Sequence, residues 1–253
     1  MLASLVLKGL GLPLLGTVFG SSFVYFLRKQ PERRLMMILD SFAAGIMSAA
    51  SFFSLISPAV KQAEANGNIY LLTCCIGFFL GTVTFVPVDR LIKRRFADAD
   101  VNSGKLLLWA VSLHNIPEGM AVGVVYAGLL AGKGDVGTTA ALALSFGIAL
   151  QNIPEGAIIS LPLNAKGKSR GNAFVMGLMS GMAELVAGIA ALFLASFVSD
   201  ILPFSLCFAA GAMFYVVLKE LSGGFRDEKY SGTSLTVFAT GFFIMMALDT
   251  LLG

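Results

Sequence analysis

Two segments, HNIPEGMAVG at 114–123 and QNIPEGAIIS at 151–160, repeat an NIPEG motif inside long apolar stretches. In each copy a glutamate follows a His or Gln by four residues, which places both side chains on one face of a helix. Each proline removes a helical hydrogen bond and displaces the carbonyl four residues earlier. Such a break persists in an apolar span only where protein, water or a ligand satisfies the freed groups. The repeat therefore predicts a polar site within two broken helices.

The composition around these motifs is that of an integral membrane protein. Of the 253 residues, 57% are hydrophobic and 13% are charged, and the mean hydropathy is +0.83. Soluble domains carry about 25% charged residues, so this chain lacks the side chains for a polar exterior. The basic residues lie in short breaks between apolar runs, which argues against a nucleic-acid partner. We expect residues 1–253 to form one transmembrane domain in contact with a lipid bilayer.

Eight apolar runs are long enough for helices that cross a bilayer, which takes about 20 residues. They cover about 2–27, 35–60, 68–92, 105–131, 136–163, 171–198, 201–221 and 232–252. Most of the 18 lysines and arginines follow the odd-numbered runs. Because positive residues mark the cytoplasmic side, we predict an all-α membrane fold with eight transmembrane helices and both termini extracytoplasmic.

Three carboxylates lie deep in these predicted spans. Glu118 and Glu155 belong to the two motifs, and Glu184 lies in the middle of the sixth run. An ionised carboxylate near the bilayer centre is costly and commonly marks an ion path. No lysine or arginine occupies the middle of a span, so protonation or a bound cation must offset these charges. The alternative is a set of neutral, hydrogen-bonded acids that only pack helices together.

The residue types around these acids favour a divalent metal. His114 is the only histidine of the chain and shares a helix face with Glu118. Imidazole, carboxylate and amide oxygens suit Zn²⁺, Fe²⁺ and Mn²⁺. Three carboxylates could hold two adjacent ions, with Glu118 and Glu155 bridging them. The fourth and fifth helices run in opposite directions, so the repeat also predicts a pseudo-two-fold axis in the membrane plane, as in many transporters.

The paired motifs, with eight spans around them, resemble the bacterial branch of the ZIP family of divalent-metal transporters. The resemblance implies a binuclear site: one ion held by His114, Glu118, Gln151 and Glu155, the second by Asn115, Glu118, Asn152, Glu155 and Glu184. It also implies that Met47 lines the path beside the first ion. A 3+2+3 inverted-repeat arrangement, a possible homodimer and a sliding transport unit are further implications.

The chain departs from the family pattern at three positions. Gln151 stands where many members have histidine, and Asn152 where some have aspartate; both exchanges weaken a metal ligand. Lys219 precedes Glu220 where a histidine or an acid is expected. We interpret Lys219 and Glu220 as a solvated pair at the membrane interface. Asp89 and Arg90 are interpreted in the same way.

The function predicted from these observations is transport of divalent transition-metal ions into the cytoplasm, with zinc the first candidate and cadmium, iron and manganese as others. The protein is expected to be a multi-pass protein of a bacterial inner membrane and not an enzyme. One alternative is an intramembrane metal-dependent hydrolase. It is disfavoured because every deep acid is a plausible ligand, which leaves no general base. A metal sensor without transport is the other alternative.

Overall fold

The computed structural model describes residues 2–27, 32–95, 105–132, 137–197, 201–224 and 228–252. Within these ranges the chain is helical and contains no strand, which confirms the all-α prediction. The helices are α1 (Leu2–Ser22), α2 (Arg33–Ala50), α3 (Ser57–Asn66), α4 (Asn68–Arg95), α5 (Lys105–Ala131), α6 (Thr138–Ala165), α7 (Arg170–Phe197), α8 (Leu202–Gly224) and α9 (Glu228–Leu252).

Seven helical segments of the described chain are long and apolar enough to cross a membrane, which confirms a multi-pass membrane protein. One of them, Arg34–Ala65, joins α2 and α3 through a π-helical segment, Ser51–Ile56. The run expected at 105–131 does form one helix, α5, with the polar residues His114, Asn115 and Glu118 in its middle.

Helix packing follows a regular scheme. The most extensive contacts join α5 to α7, α1 to α6, α4 to α8 and α2 to α9. These four pairs interchange when α1 is exchanged with α7, α2 with α8, α4 with α9 and α5 with α6. The two motif-bearing helices therefore have equivalent neighbours in the two halves of the chain.

Burial separates a central helix from peripheral ones. Most residues of α6 are buried, whereas few residues of α4 and α9 are. An exposed apolar helix surface suits contact with lipid, whose chains are as apolar as leucine. The second NIPEG motif thus lies at the centre of the helix bundle, and the first lies on the neighbouring α5.

Candidate metal site

The motif glycines let α5 and α6 cross their neighbours at very short range. A Cβ atom at Gly119 would overlap the backbone carbonyl oxygen of Glu184 on α7. One at Gly156 would overlap the carbonyl oxygen of Thr17 on α1. Glycine removes that side chain and permits the backbones to touch, as at other small-residue crossings in membranes. The last residue of each motif therefore fixes which residues of α7 and α1 face the site.

Six buried side chains form the candidate site, named here the acid–amide cluster. Its members come from both motifs and from α7, and at most 6% of any of them is exposed. They are Asn115, Glu118, Gln151, Asn152, Glu155 and Glu184. The structure thus brings together six of the eight residues that the sequence analysis assigned to the metal.

Hydrogen bonds connect the cluster across helices. The amide of Gln151 donates to Oε1 of Glu118 over 2.7 Å. The amide of Asn152 donates to Oε2 of Glu184 over 2.6 Å. The carboxyl groups of Glu118 and Glu155 also interact with each other. Each of the three acids is therefore in direct contact with a cluster member on another helix.

The two motif asparagines are oriented by equivalent bonds to the neighbouring helices. Asn115 donates its amide to the carbonyl oxygen of Ser180 on α7, over 3.1 Å. Asn152 donates to the carbonyl oxygen of Pro13 on α1, over 3.2 Å. Ser180 precedes Glu184 by four residues, and Pro13 precedes Thr17 by four. The NH₂ group of each asparagine is used in these bonds. The Oδ1 atom of each asparagine accepts no hydrogen bond from the described residues.

The cluster contains buried oxygen atoms without a hydrogen-bond partner among the described residues. They are Oδ1 of Asn115 and Asn152, Oε1 of Gln151 and Glu184, Oε2 of Glu118, and both carboxylate oxygens of Glu155. A buried acceptor without a donor is costly, and native structures satisfy nearly all such groups. A bound cation would take the place of the missing donors, because carboxylate and amide oxygens are metal ligands.

The acids alone do not complete a site. Among the described residues, no group of three or more His, Cys, Asp or Glu side chains is positioned to hold one metal ion. An ion in the acid–amide cluster would therefore need the amide oxygens of Gln151, Asn152 or Asn115 as ligands. Such neutral oxygens bind a divalent cation less strongly than carboxylate or imidazole does.

His114 contacts two residues of α8. Its Nε2 atom lies 3.1 Å from Nζ of Lys219, and its Nδ1 atom lies 3.5 Å from Oε1 of Glu220. Lys219 also pairs with Asp89 of α4 over 2.6 Å. The interpretation of Lys219 with Glu220 as a solvated pair is wrong, because both contact a side chain of the site. Asp89 is buried and pairs across helices with Lys219.

Comparison with known proteins identifies the family. The model of the ZIP zinc transporter family matches residues 99–249. The chain belongs to the ZIP family. It is 30% identical to zinc transporter ZIP11 of Bos taurus, over 95% of this chain and 97% of that protein. It is 34% identical to zinc transporter GufA of Myxococcus xanthus, over 79% of this chain and 81% of that protein. It is 33% identical to zinc transporter ZIPB of Bordetella bronchiseptica, over 84% and 70%.

Membership of the ZIP family confirms the resemblance and settles the class of protein. The family is one of transporters, so this chain is not an enzyme and the hydrolase alternative is wrong. Both NIPEG motifs and Glu184 fall inside the matched residues 99–249.

Met47, the remaining predicted ligand, lies in the main apolar core of this ZIP-family chain. It is fully buried on α2. Its carbonyl oxygen accepts a bond from the hydroxyl of Ser51, where the π-helical segment begins. The hydrogen bonds that connect the acid–amide cluster do not include Met47. Its role beside the first ion stays a prediction.

Sequence analysis missed Thr17 and misinterpreted Lys219, two side chains next to the site. Thr17 occupies on α1 the position that Glu184 has on α7, and its buried hydroxyl has no partner among the described residues. Lys219 reaches His114, although it lies close to the end of its apolar run. The available signal for Thr17 was the row of small residues around it, Gly16 and Gly20. For Lys219 the signal was its departure from the family pattern.

Proposed function

We propose that this protein carries zinc across a bilayer into the cytoplasm, with the acid–amide cluster as the transient metal site. The observation that supports this most strongly is the set of unpartnered buried oxygens on two mirrored, proline-containing helices. Family membership and the names of the relatives support zinc as the cargo. Cd²⁺, Fe²⁺ and Mn²⁺ fit the same donor types and are proposed as secondary substrates.

The cluster would hold two ions, as the sequence predicts. His114, Glu118, Gln151 and Glu155 are the proposed ligands of the first ion. Asn115, Glu118, Asn152, Glu155 and Glu184 are proposed for the second. Glu118 and Glu155 bridge the two ions, which accords with the contact between their carboxyl groups. Met47 is proposed to line the path beside the first ion.

The amides give the site two states. Without metal, the NH₂ groups of Gln151 and Asn152 donate to Glu118 and Glu184 and offset part of the negative charge. When an ion binds to those acids, each amide must turn so that its oxygen faces the ion. Each amide thus presents its NH₂ group as a hydrogen-bond donor when the metal is absent, and its oxygen as a weak ligand when the metal is bound. A site with weak ligands suits transport, because the cargo must leave as well as bind.

The proposed architecture has eight spans in a 3+2+3 inverted repeat, with both termini extracytoplasmic. In it, α1 to α4 form the first three spans, α5 and α6 the central two, and α7 to α9 the last three. The interchange of the four main helix pairs supports this arrangement. The protein is further proposed to form a homodimer in a bacterial inner membrane, and residues 1–253 to be one domain.

Zinc flux into liposomes tests the proposal. The purified protein is reconstituted with a zinc-sensitive dye inside, beside Glu155→Ala and the matched control Glu64→Ala, which removes an exposed carboxylate on α3. We expect zinc to enter with the wild type and with Glu64→Ala, and not with Glu155→Ala, because both oxygens of Glu155 are buried without a hydrogen-bond partner and are the proposed bridging ligands. Zinc that is bound but not carried by the wild type would instead indicate a sensor.

A further inference from the structure

Four charged or titratable side chains meet beside the acid–amide cluster and are named here the lysine cluster: Asp89 on α4, His114 on α5, and Lys219 and Glu220 on α8. The ammonium of Lys219 lies 2.6 Å from Oδ1 of Asp89 and 3.1 Å from Nε2 of His114. The side chain of Lys219 is 25% exposed and that of Asp89 is 8% exposed. The cluster is therefore a largely enclosed contact between three helices.

The chemistry of this contact determines the tautomer of His114. An ammonium group only donates hydrogen bonds, so Nε2 of His114 must be the acceptor. The ring proton is then on Nδ1, which faces Oε1 of Glu220 at 3.5 Å. A neutral imidazole binds a metal through its unprotonated nitrogen. The one lone pair that His114 can offer to a metal is thus occupied by Lys219.

The lysine cluster also lies on one side of the acid–amide cluster. His114 precedes Glu118 by four residues, one helical turn towards the start of α5. Lys219 lies near the end of α8, and Asp89 lies six residues before the end of α4. The connections at this end of the helices contain most of the basic residues. An ion that moves from Glu118 towards this end meets the ammonium of Lys219.

We propose that Lys219 is a tethered cation that competes with the transported ion for Nε2 of His114 and closes this end of the path until it is displaced. The inference rests on the proposed function, since it requires a metal at His114. A divalent ion and an ammonium cannot share one lone pair, and they repel each other strongly at contact distance. Asp89 keeps the ammonium paired after it leaves His114, so displacement does not strand a buried charge.

The experiment measures zinc binding by calorimetry in detergent and zinc uptake in liposomes. The test variant is Lys219→Met combined with Asp89→Asn, which removes both charges of the pair and leaves no unpaired carboxylate as a new ligand. Lys166→Met, which removes an exposed cation at the same end of the helices, is the matched control. Each variant is also made in a His114→Ala background.

If Lys219 competes for His114, the double variant binds zinc roughly tenfold more tightly, because the ion no longer meets a cation at the ligand. The gain disappears in the His114→Ala background, and Lys219→Arg, which retains a cation beside Asp89, gains less than the double variant. An unchanged affinity in the double variant overturns the inference, and so does a gain that persists without His114. A wild type that neither binds nor carries zinc overturns the proposed function, and this inference with it.

Discussion

The crossing of α5 with α7 and the crossing of α6 with α1 have the same backbone contacts but place different side chains at the site. In both, a motif glycine touches a backbone carbonyl, and a motif asparagine donates to the carbonyl four residues earlier. On α7 the residue at the crossing is Glu184, whereas on α1 it is Thr17. The backbone contacts are therefore symmetric, while the ligands that they position are not.

This difference shows how two copies of a repeat can share the same backbone contacts and still carry different side chains at the site. Glycine and asparagine contacts need only the backbone of the neighbouring helix, so they persist whatever side chain that helix carries. The charge of the site depends on the side chains, and only α7 adds a carboxylate to those of the motifs. His114 precedes the first motif and Gln151 precedes the second, and only the histidine contacts a lysine. The four predictions that follow test the symmetric and asymmetric parts in turn.

The largest expected effect falls on the symmetric glycines. Gly119→Ala and Gly156→Ala should each lower the free energy of unfolding by about 3 kcal/mol, because the added methyl overlaps a backbone carbonyl that cannot move without its helix. Thermal unfolding in detergent micelles measures the loss. Gly11→Ala is the matched control, since no atom lies within 4 Å of a Cβ there. A clearly smaller loss at one motif would show that the two crossings are not equivalent.

The asparagines should differ, although their backbone bonds match. Asn152→Asp loses donors to both Pro13 and Glu184, whereas Asn115→Asp loses the donor to Ser180. We expect metal-free losses of about 2–3 kcal/mol for Asn152→Asp and about 1 kcal/mol for Asn115→Asp. Added zinc should restore much of the first loss, because an ion replaces the missing donors. Unfolding curves with and without zinc measure this, and equal losses unaffected by zinc would contradict it.

Restoring a histidine to the second motif tests the ligand asymmetry. Gln151→His should bind zinc about tenfold more tightly, or about 1.4 kcal/mol, because imidazole is a stronger ligand than an amide oxygen. Calorimetry measures the affinity, and Asn172→His, at an exposed position of α7, controls for a histidine outside the site. An affinity that does not rise would mean that residue 151 lies outside the first coordination sphere of the ion.

The smallest effect is expected at Thr17. Thr17→Val removes a buried hydroxyl that has no partner among the described residues, so it should stabilise the protein by about 1 kcal/mol. Zinc uptake should stay near the wild-type rate if Thr17 serves only in the packing of α1 against α6 and does not bind the metal. Uptake that falls together with zinc affinity would instead make the hydroxyl of Thr17 a ligand, and the two halves would then both contribute to the metal.

Much of the candidate site was predictable because its residues are adjacent in sequence. The spacing of His or Gln and Glu within each motif places the side chains on one helix face before any tertiary contact is known. Glu184 was found from its depth in an apolar run. The direction of His114 was not predictable, because it depends on Lys219 and Glu220, which lie about a hundred residues away. Local periodicity holds no information on such contacts.

The sequence by itself determined that this protein is an all-α membrane protein, because hydropathy and helical length follow from composition along a single helix. It also predicted that Glu118, Glu155 and Glu184 are buried, because all three lie within apolar runs. Only the tertiary structure decided which helices cross at the motif glycines, that Thr17 is the counterpart of Glu184, and that Lys219 contacts Nε2 of His114. Those facts depend on which backbones approach each other, and that is settled by packing between distant segments.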